Sequence, residues 1–200
     1  MREYVSGVLA GILVGIGGAI CISCDNRYLG SIFFSIALLF ICIRGYSLFT
    51  GKVGFIIDEF SAKKLFNLFY CLLGNITGAI ISGTVIKFSF INLHQISLVS
   101  CTGKLEQSAL QTFIRAAFCG ILMYLAVVVY KENKSKIGIL FSVPVFILSG
   151  YEHSIANMFY FTLSGIFSTQ LILYILITVI GNTSGGILFA YLSKYAKGEK

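Results

Sequence analysis

Charge is scarce in this sequence. Of its 200 residues 12% are charged and 57% apolar, whereas soluble domains carry about 25% charged residues. A mean hydropathy of +0.90 points the same way, and together these values exclude an ordinary water-soluble domain. There is one proline, Pro144, too few for the two N-P-A motifs of an aquaporin. There are two histidines, and with His94 read as a loop residue a haem or quinone carrier is poorly supported. Cys21 and Cys24 stand in a CxxC spacing, but no second CxxC and no nearby histidine completes a metal site. All six cysteines are therefore read as small hydrophobes. Arg2 is the only basic residue before the first apolar run, and no A-x-A-like cleavage site follows it, so that run reads as an uncleaved first helix. The net charge of +7 comes from basic residues spread along the loops, which gives no patch for nucleic acid.

What the chain does have is long apolar runs. Val5–Ile22, Leu65–Ile86, Ala116–Tyr130 and Phe167–Ser193 are free of charge, and about 20 helical residues cross a bilayer core. Ile32–Phe60 and Ile137–Leu163 are long but interrupted. Six alternating segments with a cytoplasmic N-terminus put nine basic residues inside: Arg2, Lys63, Lys64, Lys131, Lys134, Lys136, Lys194, Lys197 and Lys200. Three lie outside: Arg27, Lys87 and Lys104. That bias obeys the positive-inside rule.

The two halves, about residues 1–90 and 108–200, match. Gly7, Gly11 and Gly15 form a small-residue stripe that permits close helix contact in lipid. Gly74-Asn75-Ile76-Thr77-Gly78 in segment three pairs with Gly181-Asn182-Thr183-Ser184-Gly185 in segment six. The middle segments break at Arg44–Gly51 and at Ser149–Ser154. Three segments per half reverse the second half's orientation, the inverted-repeat plan with broken helices around a midplane site. The fold expected is an all-α integral membrane protein, one transmembrane domain over residues 1–200. Pro144 is expected to kink segment five, and residues 88–108 form a mixed loop that dips back toward the membrane.

Glu152-His153 lies within an apolar stretch, where a charge costs about 2.5–3.5 kcal/mol. His153 is either a pathway residue able to exchange protons near neutrality or a packing residue tied to a carbonyl; the matching break favours the pathway. Glu152 is expected to point away from it and pair with a basic group or backbone amides. Lys104 is either a solvated charge or an attractor at a pore mouth. Arg44 and Lys52 are expected to pair with Asp58 and Glu59. A rival enzyme reading, an intramembrane serine protease using Ser164 and His153, lacks the glycine two residues before the serine. It also draws both groups from one segment, eleven residues apart.

Gly150-Tyr151-Glu152-His153-Ser154-Ile155-Ala156-Asn157-Met158 resembles the G-[FY]-E-H-S-[IV]-A-N-M signature of the formate/nitrite transporter family. Ser47-Leu48-Phe49-Thr50-Gly51 resembles its L-F-T-[GS] loop, and Gly74-Asn75 and Gly181-Asn182 its third- and sixth-helix motifs. The resemblance implies an aquaporin-like architecture and a homopentamer in the inner membrane, each protomer with its own pore for small monovalent anions or their conjugate acids. No cofactor or metal is implied. Formate, nitrite and hydrosulfide are the substrates it suggests. It casts Phe34, Leu38, Leu48, Phe49 and Phe146 as apolar constriction residues and Thr50 as the partner of the pore histidine. Lys104 becomes the outer-vestibule lysine, with Asn157 in the pathway and Glu152, Asn75 and Asn182 in support. An anion drawn in by Lys104 would then take a proton at or near His153, coupling flux to pH. Ser47, Lys52 and Tyr124 depart from the family pattern, which has an acidic residue, a small polar group and an asparagine there. The short N-terminus argues against gating by an extension.

Overall fold

A computed structural model describes residues 1–58 and 60–198, and of Ile91 the backbone only. Glu59 and Lys200 lie outside the described residues. Within them the chain is helical, without strands: α1 (Arg2–Ser23), α2 (Arg27–Arg44), α3 (Phe49–Lys52), a 3₁₀ turn (Val53–Asp58), α4 (Ala62–Ser89), α5 (Ile91–Leu105), α6 (Ala109–Asn133), α7 (Ile137–Leu148), α8 (Ser154–Ser164) and α9 (Thr169–Lys197). Five of them, α1, α2, α4, α6 and α9, have the length and hydropathy to cross a membrane, and α7 is a shorter apolar helix. Large apolar side chains such as Phe33, Phe40, Phe69 and Leu176 face outward, as lipid-facing helices require.

The small-residue motifs bring two helix pairs together, α1 with α4 and α6 with α9. A Cβ on Gly78 would overlap the Val8 carbonyl, and one on Gly185 would overlap the Ala117 carbonyl. Backbones meet that closely only where a side chain is missing. The α2 helix packs on α7, so the two broken segments lie side by side between the pairs.

Both breaks start with the same turn. Gly45 and Gly150 each take φ 68°, the left-handed conformation that glycine adopts freely. The next amide, of Tyr46 or Tyr151, then bonds back to Ile41 or Phe146 at 2.9 Å in each case, a Schellman-type helix end. The chain runs extended through Ser47-Leu48 and Glu152-His153 before α3 and α8 begin. Continuation differs: α3 yields after one turn to 3₁₀ structure, while α8 runs to Gly165. The α7 helix continues through Pro144 to Leu148.

Residues 88–108, expected as a loop, instead hold the helix α5, which packs mainly on α8. His94 Nδ1 lies 2.8 Å from the Leu163 carbonyl and Ser97 donates to the Tyr160 carbonyl at 2.7 Å. His94 is thus a helical residue tied to a carbonyl, and these polar groups share the packed face of α5 with Leu93, Cys101 and Leu105. Polar residues on the buried face blur the hydrophobic periodicity that would reveal it.

Candidate functional site

Each unwound stretch leaves backbone groups that a helix would have satisfied, and one asparagine in each half takes them up. Asn75 Oδ1 accepts from the Phe49 amide at 2.8 Å, while its Nδ2 donates to the Ser47 carbonyl at 2.8 Å and the Gly7 carbonyl at 2.9 Å. Asn182 Oδ1 accepts from the Ser154 amide at 2.9 Å, and its Nδ2 donates to the carbonyls of Glu152 and Ala116, both at 2.8 Å. Both asparagines are fully buried. The same three-bond clamp therefore holds both breaks, with Ser47 and Glu152, Leu48 and His153, and Phe49 and Ser154 in equivalent places.

So clamped, the breaks face each other. His153 is the N-cap of α8: its Nδ1 accepts the Ala156 amide at 3.1 Å. An amide can only donate, so the ring proton is on Nε2, which points at Thr50 Oγ1 at 2.8 Å. The imidazole stacks on Phe146 with centroids 5.6 Å apart, and Phe146 meets Phe34 edge-on at 5.9 Å. Phe34, Phe146 and His153 line a cavity of about 540 Å³ on one side. Leu38 and Leu48 line another of about 260 Å³ with Tyr46, Val127, Lys131 and Lys134. The Thr50–His153 bond ties the break whose Leu48 and Gly51 line the smaller cavity to the histidine on the wall of the larger. Thr50, His153, Phe34, Phe146, Leu38 and Leu48 are all buried.

Phe49 packs with Val53 and Cys71. The backbone is extended at Leu48 and turns helical at Phe49, so consecutive side chains leave in different directions.

Charge is placed at both cavities. Glu152, its side chain 1% exposed, receives Lys104 at 2.5 Å, Gln107 at 2.9 Å and Asn157 at 3.0 Å. It turns from His153 toward a basic group, as expected, and fastens Lys104 from α5 over the cavity. Asn157 also reaches the Tyr174 hydroxyl at 3.3 Å. On the opposite side Ser47 donates to Glu3 at 2.6 Å, and Lys52 donates to Ser47 at 2.8 Å and pairs with Glu3 at 3.3 Å. Lys52 therefore does not pair with Asp58, which binds Lys194 at 2.9 Å, and Arg44 is exposed. The carboxylate missing at Ser47 is supplied by Glu3 of α1, forty-four residues earlier, a partner that local spacing gives no sign of. Tyr124 packs on Phe55 at a tilt, with centroids 5.2 Å apart.

The protease arrangement fails on geometry. Ser164 donates to the Phe161 carbonyl at 2.8 Å and accepts from the Ile166 amide, at the far end of α8 from His153. Cys21 and Cys24 are free thiols that share the larger cavity's lining with Arg27 and Arg115.

The family profile described as formate/nitrite transporter matches residues 1–196. A nitrite transporter of Escherichia coli (strain K12), NirC, is 30% identical over 185 residues, covering 80% of this chain and 68% of that protein. Among solved structures, one described as an FNT family ion channel superposes with a TM-score of 0.84 at 27% identity, over 98% of this chain and 90% of that one. A pentameric formate channel with formate bound gives a TM-score of 0.84 at 22% identity, covering 98% of this chain and 96% of that one.

Proposed function

From the premise that this chain belongs to the formate/nitrite transporter family, we propose that it passes small monovalent anions, or their conjugate acids, through a pore within each protomer. It is a membrane transport protein and not an enzyme. The observation that carries the reading is the buried Thr50–His153 bond between two cavities, flanked by Phe34 and Phe146 on one side and Leu38 and Leu48 on the other. Such apolar rings offer no ligands to a bare anion, so an ion crosses them at high cost and a neutral acid at low cost. His153 and Thr50 stand where an anion would be protonated or held, with Lys104 and Asn157 at the approach. Glu152, Asn75 and Asn182 hold the breaks open.

In this proposal the chain crosses the inner membrane six times, as two inverted repeats over about residues 1–90 and 108–200. Segment two is α2 with α3 and segment five α7 with α8. Both termini are cytoplasmic, which follows the distribution of basic residues. The duplicated asparagine clamps support the repeat.

The test is flux into liposomes, with formate, nitrite and hydrosulfide compared side by side. Saturable flux of at least one is expected; none above empty liposomes would end the proposal. In the same assay Phe146→Ala is expected to let larger monocarboxylates through several-fold faster, because it removes the ring that covers His153. Unchanged selectivity together with unchanged formate flux would assign Phe146 to packing alone.

A pentamer is the assembly proposed. Outward apolar faces and the solved pentamer of the same fold support it. Five chains of 21.9 kDa amount to roughly 110 kDa in a closed cyclic assembly. A detergent-corrected mass of one or two chains would exclude it.

A further inference from the structure

The larger cavity is lined by three cationic side chains, Arg27, Lys104 and Arg115, and one carboxylate, Glu152. They are not equally available. Lys104 is consumed by its bond to Glu152, and that carboxylate is fully enclosed by Lys104, Gln107 and Asn157. The pair contributes little net field to the vestibule. Arg27 is engaged too: its Nη2 donates to the carbonyls of Ile147 and Leu148 at 3.2 and 3.1 Å, closing the end of α7. Arg115 differs. Among the described residues its guanidinium has no ion pair and no side-chain hydrogen bond, it is exposed, and it faces the same cavity. Its position is fixed by its own backbone, since the Arg115 carbonyl accepts the Glu152 amide at 3.3 Å. An unengaged cation is thus held on the wall beside the break that carries His153.

We propose that Arg115, rather than Lys104, is the group on which anions dock in this vestibule, and that it favours planar anions with two oxygens. This rests on the anion-pore reading above. A guanidinium presents parallel N–H donors in a rigid fork, which matches an O–X–O anion such as formate or nitrite and gains nothing extra from a spherical one. A lysine at the same place would keep the charge and lose the fork. The cavity's charge surplus raises the local anion concentration, and the fork decides which anions stay.

Cys24, which shares this cavity, supplies the measurement. The purified protein is treated with an anionic (sulfonatoethyl) or a cationic (trimethylammonioethyl) methanethiosulfonate, and labelling of Cys24 is followed by peptide mass spectrometry. Relative to a free thiol, the wild type should favour the anionic reagent. Arg115→Gln should lower that preference about three- to tenfold at low salt, and Arg115→Lys should keep it. Arg44→Gln, an exposed arginine that does not line the cavity, should leave it unchanged. Sodium formate should protect wild-type Cys24 from the anionic reagent better than sodium chloride at equal ionic strength, and the difference should vanish in Arg115→Lys. An unaltered charge preference in Arg115→Gln overturns the docking role, and a persistent formate advantage in Arg115→Lys overturns the fork. Both readouts are independent of flux, so an inactive liposome assay would count against the transport proposal and not against this one. Arg115 is exposed, and both replacements are good helix formers, so folding is retained.

Discussion

Asn182→Leu is expected to abolish transport and to lower the melting temperature of the assembled protein by about 10 °C or more. The substitution keeps the size of a side chain that is 0% exposed and removes its hydrogen bonding. The Ser154 amide and the Glu152 carbonyl lose the partners that hold them 2.9 and 2.8 Å away. Each buried polar group left without a partner costs about 1–3 kcal/mol, and in a protein of this size each kcal/mol is worth about 2–4 °C. Those two groups flank His153, so losing the clamp also frees the residue on which the pore reading depends. Asn75→Leu should do the same in the first half, where the Phe49 amide and Ser47 carbonyl would be stranded. Thermal unfolding in detergent, followed by size-exclusion chromatography, measures the effect. A wild-type melting temperature for Asn182→Leu would mean that water or backbone rearrangement satisfies the break, and the clamp would lose its significance.

His153→Asn is expected to leave folding intact and to remove the acid stimulation of flux. Asparagine is among the best N-cap residues, so its side-chain oxygen can take over the Ala156 amide that His153 Nδ1 now accepts. What it lacks is an imidazole that can take up and pass on a proton. In the wild type flux should rise as the pH falls, because an anion that acquires a proton beside Thr50 and His153 crosses the apolar rings as a neutral acid. The variant should show a flat profile across the range in which wild-type flux rises. Its flux at the acid end should be lower on the order of tenfold or more. If His153→Asn instead keeps the wild-type pH profile, proton exchange does not pass through this residue. Its role would then reduce to the cap of α8, and selectivity would rest on the vestibule cations and the apolar rings.

Much of this was readable along the chain. The charge-free runs became α1, α4, α6 and α9, because twenty or so apolar residues without a charge have few stable places other than a membrane helix. The two breaks were legible since a Gly-Tyr step followed by polar residues interrupts an otherwise apolar segment, and both steps end a helix in the same turn. The α5 helix was hidden because polar groups, His94 and Ser97, are mixed with apolar ones on its packed face. His94, Ser97, Cys101 and Lys104 recur at three, four and three residues, a helical period that hydropathy alone conceals and that would have found it.

The sequence by itself determined the class of the protein, the position of its long apolar helices, the two places where they break and the histidine set in one break. Each of these depends on residues close together in the chain: an apolar run, a glycine that takes positive φ, an extended dipeptide before a helix start. Only the tertiary structure decided which polar groups meet. Lys104 went to Glu152 from a helix that seemed a loop, Lys52 went to Glu3 instead of Asp58, and Phe49 turned into the packing while Leu48 stayed on the wall of the smaller cavity. Arg115 was left, among the described residues, as a cation of the larger cavity with neither an ion pair nor a side-chain hydrogen bond. In an apolar medium every polar group must find a partner, yet nothing local says which one. That choice is made by helices packing at glycine contacts, which bring together residues from four to more than a hundred positions apart.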